Sequence, residues 1–167
     1  MKRLLVLGLI LSLLLAACSV LSPQAQDTSG EDRLVTIFAL DGWGCCGDWT
    51  DYLEENGYKT ETTEYASLDQ IKKKYHIPEE FKTCHTAIVN GYVIEGHVPI
   101  EEIERLLSEK PDVIGIAVAG MPAGSPGMDI EGFDDEAFDV VSFDQNGNIE
   151  IYQSYTVDWK FKRNSRG

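Results

Sequence analysis

The sequence predicts a mixed α/β domain of two β-α units followed by a β-hairpin and a closing helix, and three stretches carry that expectation. Residues 34–40 (LVTIFAL) are an almost unbroken apolar, β-favouring run, the pattern of a strand covered on both faces. Asn90-Gly91 separates two β-rich runs, Thr86–Val89 and Tyr92–Glu95, and is the strongest two-residue hairpin signal. Pro99 heads a segment with Ile100, Ile103, Leu106 and Leu107 on one helical face, and Pro111 stops it.

The elements between these anchors follow in chain order. After the first strand, residues 42–49 (GWGCCGDW) form a glycine-rich turn. Trp49, Tyr52 and Leu53 then fall at i, i+3 and i+4 before Gly57, a short amphipathic helix with Asp48 near its start. Cys45 and Cys46 therefore sit at a strand-to-helix junction. Tyr58–Tyr65 (YKTETTEY) reads as a second, more exposed strand, and Ser67 with Gln70 has the spacing of a capping box for a helix carrying Leu68, Ile71 and Tyr75. With the hairpin and the Pro99 helix, the order becomes β-α-β-α-β-β-α, that of a thioredoxin-like domain. A C-terminal extension follows. Val113–Val118 reads as a further strand, residues 120–128 (GMPAGSPGM) as a loop of breakers, and Val140–Phe143 with Ile149–Tyr155 as another hairpin around Asn146-Gly147.

A chain of 167 residues accommodates one such domain, once its ends are set aside. Lys2 and Arg3 precede an apolar run from Leu4 to Leu15, shorter than the roughly 20 residues of a spanning helix and ending in Leu15-Ala16-Ala17-Cys18. Residues 1–17 are therefore expected to be a secretory signal. Leu-Ala-Ala-Cys is also similar to the bacterial lipoprotein cleavage box, which implies an acylated Cys18, a lipid anchor to the membrane and a place in the cell envelope outside the cytoplasm. Residues 18–32 have the composition of a flexible tether, 33–158 are the folded domain, and 159–167 a basic tail. Removing residues 1–17 takes away Lys2 and Arg3 and no acids, so the net charge goes from −14 to −16. Such acidity repels phosphate backbones, and nucleic acid is not an expected partner.

The chemistry concentrates in sulfur and imidazole. Thiols at a helix N-terminus are favoured as thiolates, which either react or bind a soft ion. Adjacent cysteines can close only a small, distorted disulfide ring, so Cys45 and Cys46 make a poor redox pair. A disulfide from either one to Cys84 stays open. Cys84-His85 directly precedes the first hairpin strand, at the edge the strand-to-helix turn faces. Cysteine with histidine suits zinc, copper or an iron-sulfur cluster, but zinc sites usually draw on spaced pairs such as C-x2-C, which this chain lacks. Met121 and Met128 add thioethers, poor ligands for zinc and good ones for Cu(I), within a loop whose glycines and prolines make it a poor place to build core. His97, in Glu95-Gly96-His97-Val98-Pro99, either faces the same edge or caps the following helix. His76 reads as a surface residue on the other side. No triad order, phosphate-binding glycine loop or paired-carboxylate pattern points to hydrolase or kinase chemistry.

The run Cys84-His85-Thr86-Ala87, then Val89 through Pro99, Lys110-Pro111, and Gly120 through Met128 resembles the bacterial CopG-type copper-handling proteins over residues 34–153. That resemblance implies a thioredoxin-like, extracytoplasmic metal-binding protein of copper resistance. It binds Cu(I) through Cys45, Cys46, Cys84 and His85, with Met121 and Met128 as candidate ligands and a copper-transfer protein as a partner. The family's turn usually reads Cys-x-Cys-Cys. Here Trp43 replaces the first cysteine, which implies a smaller site than the family's multi-copper cluster and an apolar shield beside it. A thiol-disulfide or copper-linked oxidoreductase using Cys45 or Cys46 with Cys84 is the alternative reading.

Overall fold

The computed structural model describes residues 33–42, 44–129 and 131–159, and for Cys45 and Cys46 the backbone alone. Residues 1–32, with the expected signal, Cys18 and the tether, lie outside the described residues, as do Trp43 and the tail from 160 onward. Among the described residues, no helix is long and apolar enough to cross a membrane.

The order expected from the sequence is the order observed. Strand β1 (Leu34–Leu40) leads into helix α1 (Gly44–Glu55), β2 (Lys59–Tyr65) into α2 (Asp69–Lys74), and β3 (His85–Val89) and β4 (Tyr92–Glu95) precede α3 (Ile100–Glu109). Strands β5 (Gly115–Val118), β6 (Phe138–Phe143) and β7 (Ile149–Tyr155) complete the chain. All seven strands form one sheet, ordered β2-β1-β3-β4-β5-β6-β7. β1 pairs parallel with β2 and β4 parallel with β5, while the remaining neighbours run antiparallel. The C-terminal extension therefore continues the same sheet beyond β4.

Local sequence explains the elements. β1 alternates buried Val35, Ile37 and Ala39 with partly covered neighbours, and β2 at the sheet edge is almost wholly exposed, as its Thr- and Glu-rich sequence requires. Asn90 and Gly91 both adopt positive φ, 47° and 85°, the geometry of a tight two-residue hairpin turn. Helix α3 buries Ile100, Ile103 and Leu106, and its first free N–H, on Ile100, donates to the Tyr52 hydroxyl at 3.0 Å. The core joins these side chains to Trp49 and Leu53 of α1 and to Ile37, Ala87, Ile94 and Ile116 of the sheet.

Three local expectations change. Helix α1 begins at Gly44, so Cys45 and Cys46 lie within its first turn rather than before it. The capping box at α2 does not form: Leu68 is the N-cap residue and carries no side-chain bond, while the Ser67 hydroxyl accepts from Asp69 N–H at 3.2 Å. Trp159, assigned by composition to the tail, is buried with its ring edge-on to Phe138 and Tyr155, because an indole gains more from that pocket than from solvent.

Candidate metal site

The hairpin turn sets the site. β3 and β4 pair Thr86 with Glu95, and the same register carried one and two steps outward sets His85 and Cys84 alongside Gly96 and His97. Cys84 C=O accepts from Leu40 N–H at 2.9 Å, so β1 runs out beside Cys84 just before the turn that carries Cys45 and Cys46. The structure thus brings Cys84 and His85 to the edge where the first strand-to-helix junction stands.

Cys84, His85 and His97 form a buried group in which each offers one ligand atom and these atoms lie within 4.8 Å of one another. His85 Nδ1 is 3.7 Å from Cys84 Sγ, and the two imidazole rings stand 5.5 Å apart. Hydrogen bonds orient both rings. A carbonyl oxygen only accepts, so the ring nitrogen that meets one carries the hydrogen. His85 Nε2–H donates to Gly96 C=O at 3.2 Å, and His97 Nδ1–H donates to Pro126 C=O at 2.7 Å. In neutral rings the lone pairs are then on His85 Nδ1 and His97 Nε2. His97 Nε2 is buried and has no hydrogen-bond partner among the described residues. Leaving such an atom unsatisfied costs on the order of 1–3 kcal/mol, a cost that an occupant would remove.

Packing fixes the surroundings. Trp49 stacks on His85 with ring centroids 4.7 Å apart and donates its Nε1–H to Val98 C=O at 3.1 Å. It supplies the apolar cover expected of Trp43, whose placement lies outside the described residues. The Gly120–Met128 loop wraps over the site, and the burial of most of it corrects the expectation that its glycines and prolines make it a poor place to build core. Pro122, Ala123, Ser125, Pro126 and Met128 are buried, with Ser125 N–H and hydroxyl both donating to Pro122 C=O. The burial has a steric reason: Gly127, at φ +74°, comes so close to α1 that a Cβ would lie 2.7 Å from Trp49 N. Gly96 is equally confined, since a Cβ there would lie 2.5 Å from Val118 O.

The candidate residues therefore divide. Cys84 and His85 belong to the group, and His97, which the sequence left between two roles, joins them. Met121 is 43 % exposed and lines, with Cys84, Leu40, Lys82, Thr83 and Gly120, an open cavity of about 280 Å³. Met128 is buried in the loop. Cys45 and Cys46 stand on the first turn of α1, and their side chains lie outside the described residues. His76 lies away from the group, exposed beyond the end of α2 at φ 54°.

Comparison with known proteins bears on this geometry. A family model described as a protein of unknown function, DUF411, matches residues 81–128, which hold Cys84, His85 and His97 together with Met121 and Met128. A solved structure titled copper resistance protein CopG, form 1, is 34 % identical, with a TM-score of 0.70, and the match covers 75 % of this chain and 99 % of that one. The chain belongs to the CopG family. Form 2 of the same CopG protein matches with a TM-score of 0.68 at 34 % identity, over 73 % of this chain and 97 % of that one. Among curated protein sequences none matches.

Proposed function

We propose that this protein binds copper as Cu(I) at the Cys84–His85–His97 group and holds or passes it outside the cytoplasm. The observation that carries the reading is the pair of imidazoles whose N–H groups are committed to backbone carbonyls, leaving His85 Nδ1 and the unpartnered His97 Nε2 beside a cysteine sulfur. Outer hydrogen bonds of this kind are what orient metal-binding histidines. Thiolate with imidazole is a soft donor set, and one thiolate with one monovalent ion is neutral, which suits a buried site better than the net charge a divalent ion would leave. Zinc is accordingly the less suited ion. Membership of a family with a structure titled as a copper resistance protein supports the same metal.

Cys45 and Cys46, on a helix N-terminal turn that follows β1, are the further thiolates of this reading, each able to balance another Cu(I). Met121, at the mouth of the cavity that Cys84 lines, is its outer thioether, the first ligand an arriving ion meets. The lipoprotein-like Leu-Ala-Ala-Cys box supports anchoring at Cys18 in the cell envelope, with transfer to a protein partner there.

The test is an anaerobic Cu(I) titration of the reduced full chain in detergent against a competing chelator, beside Cys84→Ser and Cys45→Ser. Tight binding weakened by Cys84→Ser is the expected result. A wild-type chain that fails to compete overturns the reading, and a reversible disulfide to Cys84 in that same chain would favour the oxidoreductase.

A further inference from the structure

Behind the metal donors lies a buried ion pair that no donor chemistry requires. Lys72, on the six-residue helix α2, is 3 % exposed, and Glu95, the last residue of β4, is fully buried. The Lys72 ammonium donates to the Glu95 carboxylate, to His85 C=O at 2.8 Å and to the Thr86 hydroxyl at 3.0 Å. Glu95 in turn accepts from Thr83 N–H and the Thr83 hydroxyl, both at 2.7 Å, through Oε1, and from the Thr86 hydroxyl at 2.8 Å through Oε2.

We propose that the Lys72–Glu95 pair is the positioning device of the metal site, fixing the backbone on both sides of Cys84 and His85 so that thiol and imidazoles converge before an ion arrives. The inference rests on the copper reading above. Thr83, His85 and Thr86 are all tied to the pair, and Cys84 is the residue they enclose. Three consecutive residues at the end of β4 divide the work: Glu95 holds the backbone, Gly96 C=O holds the His85 ring, and His97 supplies a donor. A buried ion pair adds little stability over apolar side chains of the same volume. What it supplies here is direction, because ammonium and carboxylate each take several partners at set angles and apolar groups take none.

The consequence is measurable without copper. In the metal-free, ¹⁵N-labelled full chain, long-range ¹H–¹⁵N spectra should show His85 in the Nε2–H form alone. Glu95→Gln and Lys72→Met should each give a mixture of His85 tautomers, and the Cu(I) affinity should fall about 10- to 100-fold, the range for partners behind metal ligands. Thr83→Val keeps the ion pair and the side-chain shape, so it remains folded if Glu95→Gln does not, and it should shift tautomer and affinity in the same direction by less. Folded Thr83→Val and Lys72→Met chains with the wild-type tautomer and wild-type affinity would overturn the proposal. A wild-type chain that binds no Cu(I) would instead overturn the copper reading, since the tautomer spectra are taken without metal.

Discussion

The Cys84–His85–His97 end of the sheet and the aromatic cluster on its C-terminal extension are both buried, yet they are built on opposite principles. At the cluster, Phe138 stacks on Tyr155 at 4.9 Å and Trp159 packs edge-on against both. Its contribution comes from area removed from water and is largely indifferent to the direction of individual atoms. At the Cys84–His85–His97 end the polar atoms are held by directed hydrogen bonds, from His85 Nε2 on Gly96 C=O to Lys72 on His85 C=O. The first region decides how firmly the chain folds, and the second decides where three donor atoms point. Mutations in the two should therefore separate stability from copper affinity.

The largest expected effect breaks the aromatic side. Trp159→Ala should cost about 3–5 kcal/mol of stability in denaturant unfolding, as for other buried aromatic truncations, while the folded fraction keeps its Cu(I) affinity. His97→Ala should do the reverse, lowering Cu(I) affinity by about 100-fold, roughly 2.7 kcal/mol, with a smaller loss of stability. If instead Trp159→Ala weakened copper binding and His97→Ala did not, the division would be wrong.

Trp49 belongs to both regions, since it sits in the core and covers His85. Trp49→Phe keeps a ring over the imidazole but loses the bond to Val98 C=O and part of the indole's volume, so it should cost about 1–3 kcal/mol of stability and leave copper affinity unchanged. The smallest effect is a pH dependence at the aromatic side. Burial pushes the Glu102 carboxyl above its ordinary value of 4.5, against the downward pull of the Tyr155 hydroxyl bonded to it at 2.9 Å and of Arg105. The folded chain then holds that proton more tightly than the unfolded one. Its contribution is greatest below pH 4.5 and declines as pH rises through the folded value. The difference in stability between wild type and Glu102→Gln should change over that window and be flat above it.

Much of this was legible in the sequence, and the remainder fails for identifiable reasons. Asn90-Gly91, Pro99 and the LVTIFAL run have local signatures, so the β-α-β-α-β-β-α order could be read directly. His97 was readable as well: a two-residue turn fixes the hairpin register, and that register carried past Thr86 and Glu95 lands Cys84 beside His97. Lys72 was not, because a lysine in Lys72-Lys73-Lys74 has the pattern of a solvated helix face, and only the distant Glu95 gives its ammonium a reason to be buried. The loop's burial was hidden for a similar reason. Glycines and prolines announce the absence of regular structure, but they also permit the close approach of Gly127 to Trp49 that closes the site.

The most direct test of the account is the X-ray absorption spectrum of the full chain loaded anaerobically with one equivalent of Cu(I). Imidazole nitrogen together with sulfur in the copper coordination shell, and loss of part of the imidazole signal in His97→Ala, is the predicted result. A shell of sulfur alone, unchanged by His97→Ala, would contradict the assignment of the two histidines as donors.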